Sequence, residues 1–349
     1  MRYYLIAGEA SGDLHAQRLI SELKVRDNKV EIRYYYHPEL AYMGFIAPVV
    51  HIREILRNIK KCQKDILSFK PDILVLIDYA GFNLRVAKFV HEHAPEVKIH
   101  YYIPPKVWAW NSSRIKLLDR YCDEIHSILP FEEQWFREHG LGKVQYVGNP
   151  TMQEVEEYLA ANPYDIEALR NDLNIDSRPI IALLPGSRRQ EIQKNLPLMF
   201  KAVKTLTDEY NIIIAATSDT DPVLLGQNAS ARVTVCLGQT YRILQHATAA
   251  VVTSGTATLE TALFSVPQVI CYRTALPHLA SWLRRKFLHI KYISLVNLIA
   301  DAPVVAELIA ADATAENIRK ELLDILNPET KKRGTIKQGY DLIRQRLRL

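Results

Sequence analysis

No run of about 18 apolar residues occurs in the sequence, so no segment is expected to cross a bilayer as a helix. Cysteine is sparse: Cys62, Cys122, Cys236 and Cys271 stand apart, with no Cys-x-x-Cys and no Cys/His spacing. That excludes a disulfide framework and a zinc module, and leaves free thiols of a reducing compartment as the expectation. Glycine and proline number 13 and 17 in 349 residues, too few for a collagenous or low-complexity chain. No internal repeat is present. There is no Gly-x-Ser-x-Gly elbow, no Gly-Lys-Ser/Thr closing a phosphate loop, and no His, Asp and Glu cluster at metal-ligand spacing. A metal-free chemistry without a cofactor is therefore expected. The opening MRYYLIAGEASGD lacks the length and the small-residue cleavage site of a secretory signal, and reads as a first strand.

What is present is a pattern of strand then helix. Apolar residues at 48% and charged residues at 24% fit a soluble globular protein, and 349 residues suit two domains. Short apolar runs at 3–7, 30–34, 73–77, 99–103, 124–128 and 144–147 read as buried parallel strands, with helical stretches at 14–24, 82–93 and 131–139. The alternation restarts with strands at 180–184, 211–215, 233–237, 249–252 and 268–272. The fold class is α/β, with two doubly wound Rossmann-like sheets in tandem. The expected organisation is a domain over 1–165, a second over 166–335, and a helix over 336–349 whose apolar stripe packs back on the body. Ligands of open parallel sheets sit at the carboxyl ends of the strands, so both domains are expected to turn their strand ends to one cleft.

Net charge is +5, and its distribution says more than its total. Two basic clusters, REILRNIKKCQK at 53–64 and RRKFLHIK at 284–291, read as solvated helix faces or as faces laid on an anionic membrane surface. No nucleic-acid motif accompanies either, so nucleic acid is set aside as a partner.

Four strand-end turns carry the candidate chemistry. GEASGD at 8–13 turns through Gly8 and Gly12, with Ser11 or Asp13 able to cap the next helix. It is no phosphate cradle, and Glu9 at the sheet mouth suits sugar hydroxyls better than phosphates. IDYAGFN at 77–83 ends a strand in Asp78, while Asn83 competes to cap the helix that follows. In YYIPPKVWAWNSSRIK, Trp108 and Trp110 follow Pro104-Pro105 and read either as core or as the floor of a sugar or acyl pocket. The fourth region pairs LLPGSRRQEI with VTSGTATLETALF. Ser187 and Arg188 follow one strand, and Ser254, Gly255 and Thr256 open a helix after another, with Glu260 one turn in. A planar guanidinium and a helix N-terminus at matching strand ends point to a nucleotide diphosphate, with Glu260 placed for ribose hydroxyls.

GEASGD, MGF at 43–45, IDYAGFN, VWAW, LPFE at 129–132, LPGSR, SGTATLE and YISLVNL at 292–298 occur in that order. Together they resemble the lipid-A-disaccharide synthases, inverting glycosyltransferases of the GT-B fold, over nearly the whole chain. The resemblance implies that UDP-2,3-diacylglucosamine donates its sugar to 2,3-diacylglucosamine 1-phosphate, giving a β(1→6) disaccharide and UDP. It implies a Gram-negative cytoplasm with peripheral contact on the inner face of the inner membrane, and leaves a homodimer open. By motif, Glu9, Ser11, Met43, Asp78, Asn83, Trp108 and Trp110 fall on the acceptor side. Ser187, Arg188, Ser254, Gly255, Thr256, Glu260 and Asn297 fall on the UDP side. An inverting transfer needs one base, and Asp78 is taken for that role with Glu9 as its rival.

The chain departs from the family pattern at four places. Pro104-Pro105 stands for Ser-Pro, Gly148-Asn149 for Gly-His, and Asp301-Ala302 for Gly-Arg. Between the second strand and Met43 roughly a dozen residues are missing beside the expected acceptor pocket. Another UDP-N-acetylglucosamine transferase or a UDP-sugar epimerase would share the UDP-side turns, and a catalytically silent lipid or UDP binder would fit the shortened segment.

Overall fold

The structure is a computed structural model that describes residues 1–8, 10–36, 52–109, 112–226, 233–273 and 291–349. Two compact units result, Met1–Gly148 together with Leu349, and Asn149–Arg348.

The first unit is built on β1 (Arg2–Ala7), β2 (Glu31–Tyr36), β3 (Ile73–Ile77), β4 (Lys98–Tyr102), β5 (Glu124–Ser127) and β6 (Val144–Tyr146). All are parallel, in the order β2-β1-β3-β4-β5-β6. The connecting helices are α1 (Ala10–Arg26), α2 (Ile52–Phe69), α3 (Ala80–His93), α4 (Ile115–Tyr121) and α5 (Pro130–Glu138). Alternate strand residues enter opposite faces. Tyr4, Ile6, Leu74 and Leu76 pack with Ile59 and Ile66 of α2 and with Phe82 and Val86 of α3. Leu5, Ala7, Val75 and Ile77 pack with Ala16 and Leu19 of α1. Burial on both faces is why these strands read as unbroken apolar runs.

The second unit holds β7 (Ile180–Leu184), β8 (Asn211–Ala216), β9 (Val233–Leu237), β10 (Ala247–Thr253), β11 (Gln268–Tyr272) and β12 (Ala306–Ile309). Its order is β12-β11-β10-β7-β8-β9. Counted from its own first strand, this is the strand order of a dinucleotide-binding domain. Its helices are α6 (Pro150–Ala161), α7 (Ile166–Leu173), α8 (Arg189–Val203), α9 (Pro222–Gly226), α10 (Thr240–His246), α11 (Thr256–Leu263), α12 (Leu295–Ala300), α13 (Ala315–Leu326) and α14 (Lys331–Leu347). β7 and β8 are buried along their whole length.

Three boundaries differ from expectation. The units divide after Gly148, not after residue 165, because α6 belongs to the second unit. Asn149 caps α6 by accepting the Met152 N–H at 3.2 Å, and Tyr158 packs its ring on Tyr241 and Phe264 at 5.4 and 5.9 Å. Strand β12, only four residues of mixed polarity, was not anticipated; it forms by pairing in parallel with β11. The terminal helix starts earlier than expected and is part of the second unit. Ile336, Tyr340 and Ile343 of α14 are buried, and the Tyr340 hydroxyl donates to the Val266 carbonyl at 3.0 Å. No described helix is long and apolar enough to cross a membrane.

In an open parallel sheet the ligand crevice forms where successive connections leave in opposite directions. That point lies between β1 and β3 in the first unit and between β7 and β10 in the second. GEASGD and IDYAGFN follow the first pair, and LPGSR and SGTATLE follow the second.

Candidate active site

At the first switch point β1 and β3 end in register, Ala7 against Ile77. Gly8 is required there, since a Cβ would stand 2.6 Å from Tyr79 Cδ1. Asp78 and Tyr79 both adopt the left-handed region, at φ 49° and 40°, and Ile103 after β4 does so at 62°. Such backbone costs on the order of 1–3 kcal/mol per residue unless its surroundings fix it. Here they do. The Asp78 N–H donates to the Tyr102 carbonyl at 3.2 Å. The Asp78 carbonyl accepts from Asn83 Nδ2 at 2.8 Å and from the Tyr101 hydroxyl at 2.6 Å, and Asn83 Nδ2 also reaches the Ile77 carbonyl at 3.1 Å. Asn83 was expected to cap the helix; it lies inside α3, fully buried, and clamps the turn instead.

The half-buried Asp78 carboxyl is held above its ordinary range by burial, with Lys106 and the Tyr79 N–H acting the other way. Lys106 also acts on Glu132, a fully buried residue of α5. Glu132 accepts from Trp108 Nε1 at 2.7 Å and from the Ser127 hydroxyl. Burial pushes Glu132 up to about 7, opposed by those two bonds and by Lys106, and assisted by the nearby charge of Asp78. Trp108 is half-buried with its ring edge-on to Phe131 at 5.2 Å, so its indole N–H serves an internal carboxyl. Asp13, an expected cap, sits in the first turn of α1 and accepts from the Tyr34 hydroxyl at 2.6 Å.

The second switch point is built differently. Gly186 turns at φ +106°, and a Cβ there would meet Glu191 Oε2 at 2.6 Å. Glu191 pairs with the Arg188 guanidinium at 2.9 Å and accepts the Arg188 N–H at 3.4 Å. Ser187 and Arg188 are exposed, with Arg188 at the N-cap of α8. Across the switch point Gly255, at φ 155° and ψ −162°, opens α11 in a conformation open essentially to glycine alone. Gly255 and Thr256 are exposed at that helix N-terminus, with Ser254 half-buried before them. Glu260 lies one turn in and accepts weakly from the Tyr241 hydroxyl at 3.5 Å. Burial and the neighbouring carboxylate of Glu154 push Glu260 up to about 7, against the Tyr241 bond.

Of the expected acceptor-side residues, the first unit brings Asp78, Asn83 and Trp108 to one sheet edge. Glu9, Met43 and Trp110 lie outside the described residues, as do the shortened segment before Met43 and residues 284–290 of the second basic cluster; Ser11 is placed only as part of α1. Of the UDP-side residues, Ser187, Arg188, Ser254, Gly255, Thr256 and Glu260 gather at the β7/β10 turns, and Asn297 does not. Its buried amide donates to the Val305 carbonyl at 2.9 Å and to Glu307 at 3.0 Å, and accepts the Val305 N–H at 3.0 Å, tying α12 to β12. It lines a cavity of about 410 Å³ with Glu307 and Lys332, to which no residue of the β7/β10 turns contributes.

Four residues went unnoticed in the sequence. Lys106 and Glu132 are two, although LPFE marked the second. Thr253 and Asn195 are the others. The Thr253 hydroxyl at the end of β10 and Asn195 Nδ2 on α8 are buried without a hydrogen-bond partner among the described residues, while Asn195 Oδ1 accepts the Arg273 N–H at 2.8 Å after β11. Buried polar atoms of this kind call for a ligand or water to satisfy them.

The profile of the lipid-A-disaccharide synthetase family matches residues 3–349. A lipid-A-disaccharide synthase of Myxococcus xanthus is 33% identical over 368 residues, covering 99% of this chain and 93% of that protein. One from Syntrophus aciditrophicus is 34% identical over 370 residues, covering 99% and 93%. Both alignments exceed the 349 residues of this chain, so the relatives carry residues that it lacks. Among solved structures, the UDP-GlcNAc 2-epimerase of Neisseria meningitidis, bound to UDP-GlcNAc, superposes with a TM-score of 0.66 at 12% identity, over 99% of both chains. The calicheamicin glycosyltransferase CalG4 gives 0.60 at 16%, over 99% of this chain and 94% of the other. These likenesses show an α/β GT-B fold. With the match across nearly its full length, the chain belongs to the lipid-A-disaccharide synthetase family, enzymes that act as glycosyltransferases in lipid A biosynthesis.

Proposed function

We propose that the protein joins UDP-2,3-diacylglucosamine to 2,3-diacylglucosamine 1-phosphate with inversion at the anomeric carbon. The O6–H bond of the acceptor breaks as its proton passes to a carboxylate. The O6–C1 bond forms while the bond from C1 to the diphosphate oxygen breaks, and UDP leaves. The observation that carries this reading is Asp78, a half-buried carboxylate on a strained turn at the β1/β3 switch point. Burial raises its pKa, as suits a base, while Lys106 favours the charged form. Glu9, its rival from the β1 turn, is assigned to holding the acceptor. On the UDP side the Arg188 fork and the N-terminus of α11 take the diphosphate, and Glu260 takes the ribose hydroxyls. These groups stabilise the charge that develops on the leaving diphosphate.

The acceptor and donor are lipids, and α2 offers a face for their membrane. Ile55, Ile59, Cys62, Ile66 and Phe69 bury one side of it. Arg57, Lys60, Lys61 and Lys64 are exposed on the other, with Leu56 and Leu67 among them. Each basic residue near an anionic surface contributes about 1 kcal/mol, screened by salt.

Asp78→Asn is expected to lower kcat by about 10²–10⁴ while calorimetry shows unchanged UDP affinity. Near-normal turnover in that variant, with loss in Glu9→Gln, would reverse the two roles. Glu260 gives a pH signature. Below about 7 it holds a proton and accepts ribose hydroxyls poorly, so UDP affinity should rise between pH 6 and 8. Glu154→Gln removes the like charge and should shift that rise to lower pH; an unchanged profile would remove Glu260 from the ribose. Sedimentation with anionic vesicles should fall when Arg57, Lys60, Lys61 and Lys64 are neutralised together, and salt-independent binding would argue against a membrane role for α2.

A further inference from the structure

The first unit carries a second group of titratable side chains, on β4 and β5 before their strand-end turns and not used by the transfer reaction. Among the described residues, His100, Glu124 and His126 bring one donor atom each to within 4.8 Å of one another. The sheet itself arranges them. His100 on β4 is paired in register with Glu124 on β5, and His126 lies two residues further along β5, so both β5 side chains share a face. Ile99, Tyr101 and Ile125 enter the core beneath α2, α3 and α4, so the three donors occupy the opposite face.

Their side chains face one another, with Asp123 and Lys98 also acting on His100. Glu124 Oε2 stands 3.1 Å from His126 Nε2 and 3.7 Å from His100 Nδ1, and the two imidazole centroids are 5.6 Å apart. By contrast, His93, His139 and His246 each bond a ring nitrogen to the carbonyl four residues back in their own helix. The two strand imidazoles are partly sheltered, at 19% and 27% side-chain exposure, while Glu124 reaches solvent at 58%.

We infer that His100, Glu124 and His126 form a three-ligand site for a divalent first-row transition ion of the Zn²⁺ class. Two imidazoles and one carboxylate suit such an ion and not Mg²⁺ or Ca²⁺, which take oxygen ligands. Donors around tetrahedral Zn²⁺, with bonds of about 2.0–2.2 Å, stand about 3.3 Å apart. The two spacings to Glu124, 3.1 and 3.7 Å, bracket that value, and all three donors lie within 4.8 Å, a gap that side-chain rotation can close. Solvent completes the coordination. The ion ties β4 to β5 on the face of the sheet opposite that core, independently of the transfer reaction.

Titration of the tag-free full chain with ZnCl₂, followed by calorimetry, tests the site, with Co²⁺ ligand-field absorption reporting geometry. One ion per chain is expected, with a raised unfolding temperature. His100→Ala and His126→Ala should each weaken binding by more than the ~10–100-fold that loss of an outer-shell partner costs. His93→Ala should leave it unchanged. Glu124→Gln, at an exposed position where the fold is not at stake, should weaken binding and abolish the rise in unfolding temperature. Absence of saturable binding by the wild type, or wild-type affinity in either strand histidine variant, would overturn the site.

Discussion

Asn83, with no exposed surface, donates through one amide nitrogen to two successive carbonyls, those of Ile77 and Asp78, while Tyr101 adds a second donor to Asp78. The role proposed for Asp78 depends on that clamp. It satisfies carbonyls that a left-handed turn withdraws from the sheet, and so holds two consecutive non-glycine residues at positive φ. Gly8 completes the arrangement by admitting the Tyr79 ring beside the end of β1. A half-buried carboxylate then stands at the switch point on a backbone held by hydrogen bonds. Lys106 and the Glu132–Trp108 pair supply its electrostatic surroundings.

In the proposed reading the second unit faces the opposite problem, holding anionic phosphates, and has opposite means. Glycines open the turns, a helix N-terminus faces outward, and an arginine waits in an ion pair with Glu191. That pair is half-exposed at Arg188, so it holds the guanidinium in place at little energetic cost to a ligand that replaces it. The unpartnered Thr253 hydroxyl lies at the end of β10, and the unpartnered Asn195 amide nitrogen on α8, whose oxygen accepts from Arg273 after β11. A half-buried carboxylate at one switch point, and an arginine with a helix N-terminus at the other, fit the proposed reaction, which removes a proton from one substrate and a diphosphate from another.

The strands were legible because a parallel sheet buried on both faces leaves continuous apolar runs, as in ILVLI of β3 and IIALL of β7. Strand β12 was not, since AELI gains its identity only from pairing with β11. The strand-end turns were visible as Gly, Pro and charged residues, and their assembly into two switch points followed from the βαβ alternation. The function of individual side chains was less visible. Asn83 looks like a cap at i+4 from Tyr79, and only the fold shows two carbonyls behind it. Asn297 looks like a ligand contact, and its amide is consumed by Val305 and Glu307. Glu191, by contrast, stands three residues after Arg188, and that spacing alone could have revealed the pair.

The central claim is that Asn83 acts through Asp78, by fixing the turn that presents its carboxylate. A double-mutant cycle on kcat, with Asn83→Ala and Asp78→Asn singly and together, tests it most directly. The account predicts that Asn83→Ala lowers kcat severely when Asp78 is present and causes little further loss once Asp78 is asparagine. Losses that multiply in the double variant, as for two independent sites, would contradict it.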